Sequence, residues 1–355
     1  MCEICDNYGS GSQPAANDPG GTSSVQRANV DLGGLRYEAD AGWAKCPKAY
    51  AWMEVAGVAV DSKNRVFVFN RGPQPVLVFD SAGEFLFSWG AGLFSRPHGI
   101  TIGPDDSVYC SDDFGHIVRK FTPEGGLLLE LGVKGLASDT GATSIDFRTI
   151  RRSAEPFNYP TNVALSASGD IYVADGYGNA RIHKFSAKGE LLVSWGTPGD
   201  GPGQFRIPHG LAIDSAGTIY VADRENCRIQ LFSGEGDYLS EWRDIARPCQ
   251  IAFDRAGIAY VAELGFRAGM WPGTSAPATR DTGGRVSVFD RKGQLLGQLG
   301  GGDTPTAPGD FFAPHDICVD GNGAIYVAEV VMSAGGNRGL VETSCHSLQK
   351  LSLIG

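Results

Sequence analysis

The chain has no cluster of lysine and arginine. Its 30 basic side chains are spread among 40 acidic ones, for a net charge of −10. That balance argues against a nucleic acid or an anionic membrane as partner. No run of 18 apolar residues occurs, so no membrane-spanning helix is expected. The opening stretch MCEICDNYGSGSQPAANDPGGTSS lacks a basic segment leading into an apolar core, and does not read as a secretory signal. Eight cysteines in 355 residues do not make a disulfide framework. Cys2 and Cys5 form one CxxC pair, but a metal ribbon needs a second, and none is near. These absences predict a reduced, cytoplasmic chain and leave a secreted mature form open. They do not fix the oligomeric state; nothing in the sequence demands more than a monomer.

What the chain does have is glycine, 50 residues of it, and an internal repeat. The unit is an apolar strand, a small turn, then a second strand of pattern apolar-Tyr-Val-Ala-acid. Clear copies are YPTNVALSASGDIYVAD (159–175), IPHGLAIDSAGTIYVAD (207–223), RPCQIAFDRAGIAYVAE (247–263) and APHDICVDGNGAIYVAE (313–329). RPHGITIGPDDSVYCSD (96–112) is a fifth, and VAGVAVDSKNRVFVFN (55–70) a sixth without its proline. Several copies continue into third and fourth strands, such as RIHKFSAKGELLVSWG. Dense strand–turn alternation of this kind predicts antiparallel four-stranded meanders. Radial packing of such sheets leaves only short, protected edges. The sequence therefore predicts an all-β, six-bladed β-propeller around a central channel; a β-sandwich or two smaller β domains is the weaker alternative. Residues 35–355 form the single domain, and 1–34 a partly mobile segment. Leu35–Ala39 is expected to supply the outer strand of the last blade, beside a third strand around Ser347–Leu353. The longest insertions fall near 131–158, 264–284 and 331–345.

Three of the six copies open with Pro-His: His98, His209 and His315. They belong to blades two, four and six, so they stand about a third of a turn apart around the axis. Three neutral imidazoles converging on one point make a zinc site with a free coordination position, although other divalent ions also accept such a set. A plainer reading treats Pro-His-Gly as a good turn into a strand. His116, His183 and His346 fall elsewhere in the repeat and read as packing or surface residues. Cys249 shares the histidine position in blade five and reads as a small buried thiol.

In a meander, the start of strand one and the end of strand two share a rim. The position just past strand two carries Arg71, Asp113, Gly176, Arg224, Leu264 and Val330, with Tyr177 one residue later. Two arginines there could grip a carboxylate, or could instead pair with neighbouring acids such as Glu225. Tyr177 could act as a base if nearby cations lower its pKa, or could be a turn residue only.

At these residues the chain resembles the peptidyl-α-hydroxyglycine α-amidating lyase family, within the wider NHL-repeat propellers. The blocks that carry the resemblance are VAGVAVDSKNRVFVFNRG, RPHGITI, YPTNVAL, IYVADGYGNARIHKFSAKGELLVSWG, PGQFRIPHGLAI, YVADRENCRIQLF and APHDICV, in order across most of 55–329. The resemblance implies a catalytic zinc on His98, His209 and His315. It implies Tyr177 as general base on a substrate hydroxyl, with Arg71 and Arg224 binding the substrate. It also implies a structural calcium on the carbonyls of Val58 and Ile100 and the carboxylate of Asp316. The reaction would cleave a carbinolamide C–N bond, giving an amide and glyoxylate from a small carboxylate-bearing substrate. Gly178 and Leu231 stand where animal members of the family carry disulfides, which fits a reducing compartment, and the hydroxylated substrate is expected to be made elsewhere. Two alternatives stay open: another metal-dependent lyase, hydratase, hydrolase or lactonase acting on a small hydroxy compound, and a non-enzymatic protein-binding scaffold.

Overall fold

The computed structural model describes residues 27–50, 52–266 and 282–354. Six antiparallel sheets stand around one axis. Blade one is Val55–Val60, Val66–Asn70, Val76–Phe79 and Phe85–Trp89; blades two to five repeat that order from Pro97, Pro160, Pro208 and Pro248. The first strand of each blade lies against the first strand of the next, and that of blade six against that of blade one, which closes the ring. No helix among the described residues is long and apolar enough to cross a membrane.

Blade six joins distant parts of the chain. Its inner strands are Pro314–Val319, Ile325–Glu329 and Leu348–Leu353, and Leu35–Asp40 pairs antiparallel with the last of these. A fifth strand, Arg27–Leu32, pairs outside Leu35–Asp40. The sheet therefore begins at Arg27, eight residues ahead of the boundary drawn from the sequence. The repeat pattern offers no template for this strand, because among the described residues no other blade has a fifth. Residues 1–26 lie outside the described set, and with them Cys2 and Cys5.

The repeat pattern follows from where each side chain goes. Alternate residues of a strand face the two neighbouring blades, so both faces must be apolar. Between blades three and four, Tyr172, Ala174, Ile182, Phe205, Leu211, Val221 and Phe232 form one buried cluster. Each fully buried aliphatic or aromatic side chain of this kind stabilises by roughly 1.5–3 kcal/mol. The acid that ends strand two has a different task. Asp112 accepts the backbone N–H groups of Ser95 and Arg96, Asp175 that of Asn158, and Asp223 that of Arg206. Glu263 and Glu329 do the same for Ala246 and for Phe312 and Ala313, and Asn70 for Met53 in blade one. Each acid thus fastens the loop that enters its own blade's first strand.

Candidate metal centre

In every blade the pairing of strands one and two slips by a residue directly after the opening position. The slip falls between Val55 and Gly57, Pro97 and Ile100, Pro160 and Asn162, Pro208 and Gly210, Pro248 and Gln250, and Pro314 and Asp316. Such a bulge leaves a residue unpaired and turns its side chain. The bulged residues include Ala56, His98, Thr161, His209, Cys249 and His315. The bulge is what swings three imidazoles out of the blade interfaces and onto the axis.

The three rings meet there. Their centroids lie 4.9, 4.7 and 4.6 Å apart, and one ring nitrogen from each lies within 4.8 Å of the others. All three are buried. Each Nδ1 reaches a main-chain carbonyl of the following blade: His98 to Thr161 at 2.7 Å, His209 to Cys249 at 2.9 Å, His315 to Ala56 at 2.7 Å. A carbonyl can only accept, so each Nδ1 carries the proton and each Nε2 presents a lone pair inward. The carbonyls belong to the residues that hold the same repeat position in the odd blades. At Gly99 and Gly210 a Cβ would stand 2.5 Å from the Thr161 oxygen and 2.2 Å from the Cys249 oxygen; in blade six Asp316 holds that position and the bond to Ala56 forms all the same. Burial, followed for His98 and His209 by repulsion from the neighbouring imidazoles, holds these rings well below the usual histidine value. For His315, burial and then Arg71 act in the same direction. Three neutral Nε2 acceptors facing one point, with their partner nitrogens fixed, are a donor set that suits zinc.

Tyr177 completes the cluster. Its hydroxyl lies 3.1 Å from Nε2 of both His98 and His209 and accepts from Arg224 Nη1 at 3.2 Å. The guanidinium carbons of Arg224 and Arg96 stand 5.3 and 5.7 Å from the Tyr177 ring centre. The phenol pKa stands above its ordinary value: burial raises it, and Arg224 and Arg96 offset that only in part. Arg224 also donates to Glu225 at 2.8 Å, the pairing with a neighbouring acid that the sequence allowed: one edge is paired, the other faces Tyr177. Arg71 behaves alike, donating to Glu54 at 2.7 Å, to the Pro97 carbonyl at 3.0 Å and to Ser333 Oγ at 3.2 Å.

An NHL-repeat family profile matches residues 157–185 and 205–232. The chain is 32% identical over 315 residues to human NHL repeat-containing protein 3, covering 83% of this chain and 82% of that one. The chain belongs to the NHL-repeat propeller family. It is also 34% identical over 292 residues to peptidyl-α-hydroxyglycine α-amidating lyase 1 of Drosophila melanogaster, covering 76% of this chain but only 50% of the fly protein. Among solved structures, a Xanthomonas campestris gluconolactonase superposes with a TM-score of 0.57 at 14% identity, over 94% of this chain and 96% of that one. That likeness is one of fold.

Within this NHL propeller, the residues expected around a second cation also gather. Asp316 follows His315 and is buried; its carboxylate accepts from Val58 N at 3.1 Å and Ile317 N at 2.9 Å. The Val58, Val163, Ile251 and Ile317 N–H groups all bond to side chains rather than to strand two. A residue whose N–H leaves an antiparallel ladder sends its C=O off the ladder as well. The register places Ile100 at the same repeat position as Val58. A Cβ on Gly57 would lie 2.9 Å from Asp316 Oδ2 and 2.9 Å from Ile100 Cγ2, which shows how closely the three approach. Burial pushes the Asp316 pKa up to about 8. A lone buried carboxylate is a donor that suits a hard cation. It forms the floor of a cavity of about 500 Å³ lined by the first strands of all six blades.

Cys249 lies outside the histidine group, and burial pushes its thiol up to about 11, as expected for a packing residue. His116 and His183 are likewise structural: His116 accepts from Tyr159 N, and His183 bridges Asp175 and Ser194. Several residues of the site are new. Arg96 forks onto Asp113 and stacks on Phe114 with 3.8 Å to the ring centre. Arg247 holds Glu225 from the far side at 2.8 Å. Thr140, from the 131–158 insertion, donates to the Gly178 carbonyl at 2.5 Å and steadies the turn that carries Tyr177. The signal for the two arginines was present: Arg96 and Arg247 both immediately precede the proline of their repeat. Nothing local in the sequence marks Thr140.

Proposed function

We propose that this propeller is a zinc-dependent lyase acting on an α-hydroxyglycine-type carbinolamide. The carrying observation is the Tyr177 hydroxyl, set between two metal-facing Nε2 atoms and one arginine. The α-amidating lyase relatives support the choice of reaction. His98, His209 and His315 would hold the zinc, and Asp316 with the Val58 and Ile100 carbonyls a structural calcium. When bound, the zinc would supply Lewis-acid polarisation of substrate oxygen and positive charge beside the phenol.

The chain's own residues then divide the work. Arg71 and Arg224 bind the substrate carboxylate, each held in place by its glutamate partner. Tyr177, as phenolate, takes the substrate hydroxyl proton. The O–H electron pair becomes the second bond of the aldehyde carbonyl, and the C–N bond breaks. Its electron pair stays on the amide nitrogen, which gains a proton. R-CO-NH-CH(OH)-COO⁻ thus gives R-CO-NH₂ and glyoxylate, with no net consumption of protons or electrons. Arg224 opposes the burial of Tyr177 and favours its ionised form.

Glyoxylate release from α-hydroxyhippurate by zinc-loaded protein tests this reading. No glyoxylate from protein that holds one zinc per chain would favour another lyase, hydratase or hydrolase chemistry on the same site. No bound transition metal at all would favour a non-enzymatic scaffold.

A further inference from the structure

The rim around the histidines is divided. In blades one, four, five and six the residue just past strand two is fixed alike, its N–H bonded to the carbonyl just ahead of strand one: Arg71 to Glu54 and Arg224 to Ile207 at 3.0 Å, Leu264 to Arg247 at 3.0 Å, Val330 to Ala313 at 3.2 Å. These four residues therefore stand at one level around the axis. Two are arginines and two are aliphatic. At this level blades one and four present Arg71 and Arg224, whereas blades five and six present Leu264 and Val330.

The aliphatic arc is built into the site. Leu264, Val330 and Val331 share one buried cluster with Ala56 and Cys249, whose carbonyls hold His315 and His209. From Val330 the chain turns into the short helix Val331–Ala334, within the 331–345 insertion. That helix is tied to a substrate-facing arginine. Ser333 Oγ accepts from Arg71, and Ser333 N donates to Glu54 at 2.8 Å, so Glu54 clamps both.

We infer that Leu264 and Val330 form an acyl subsite, and that the substrate is an N-acyl-α-hydroxyglycine with a large apolar acyl group. This rests on the lyase reading above. With the carboxylate on Arg71 and Arg224 and the hydroxyl at Tyr177, the acyl arm points over blades five and six. An aryl or alkyl arm buries apolar surface there, and a charged arm is left desolvated.

The experiment compares kcat/KM for glyoxylate release from N-benzoyl- and N-acetyl-α-hydroxyglycine in the wild type, Leu264→Gln and Val330→Gln, with thermal unfolding to confirm that each variant folds. The benzoyl compound is expected to be favoured by about tenfold or more, since a few methylenes' worth of burial carries such a ratio. Each substitution is expected to reduce that ratio. Equal kcat/KM for the two substrates in the wild type overturns the subsite, as does an unchanged ratio in both folded variants. No glyoxylate from either substrate overturns the lyase reading instead, and the subsite with it.

Discussion

His315 Nδ1 lies 2.7 Å from the carbonyl oxygen of Ala56, so an imidazole of blade six is oriented by blade one. The same strand of blade one also donates Val58 N to Asp316. Two consecutive residues, His315 and Asp316, thus lean on one three-residue stretch, and the two candidate cation sites share a wall.

Replacing Tyr177 by Phe leaves all three Nε2 atoms in place and removes only the hydroxyl. The Tyr177→Phe protein is expected to keep its zinc while glyoxylate release falls about a hundredfold or more. Metal analysis alongside turnover of α-hydroxyhippurate checks this, and full turnover would remove Tyr177 as the base.

Replacing His209 by Ala leaves two imidazoles, too few for a tight site. Zinc content after dialysis is expected to fall well below one per chain, and activity with it. His183→Ala serves as the comparison: it removes a buried histidine from the Asp175–Ser194 bridge, so stability should fall while zinc stays.

The strand-two acids offer a test of positioning. Glu329 accepts from Phe312 and Ala313, the two residues just ahead of the Pro314-His315 turn. In Glu329→Ala both N–H groups lose their partner, at a cost of about 1–3 kcal/mol for each group left unsatisfied. Chemical denaturation should show that loss, and zinc affinity should weaken because the loop feeding His315 is released.

Stability against pH reports on Asp316. Its folded pKa lies at about 8, above the ordinary 3.8 of an unfolded aspartate. Between those values the folded state binds a proton that the unfolded state does not, so cation-free protein loses stability as pH rises from about 4 to 8. One such group contributes about 1.4 kcal/mol per pH unit within that window. The buried histidines act oppositely: held below 6.5 in the fold, they cost stability as pH falls below 6.5. Calcium is expected to raise the melting temperature near pH 8 in the wild type and to have little effect on Asp316→Asn. Differential scanning calorimetry with and without calcium checks both arms.

The repeat made the architecture legible, since both periods of the pattern, strand alternation and blade spacing, are written in side chains that must face a neighbour. The histidines could be placed at one level because equivalent positions in a ring are equivalent in space. The bulge that aims them was not legible: it arises in the pairing of two strands, and a slip in register leaves no mark on either strand alone. The pairings that Arg96 and Glu225 make were hidden for a related reason. Asp113 reaches Arg96 through strand pairing inside blade two, and Arg247 reaches Glu225 from the next blade. The outermost strand, Arg27–Leu32, is half exposed and makes no demand on its sequence beyond a passable edge.

The seam in blade six bears on how the molecule is made. Leu35–Asp40 emerges early in synthesis and must wait for Leu348–Leu353 before it has a partner. Until then blade six lacks its outer strands. A chain closed by so distant a pairing pays its loop entropy late and folds slowly. A metal taken up by the three histidines would likewise wait for blades one and six to meet, since His315 is oriented from blade one.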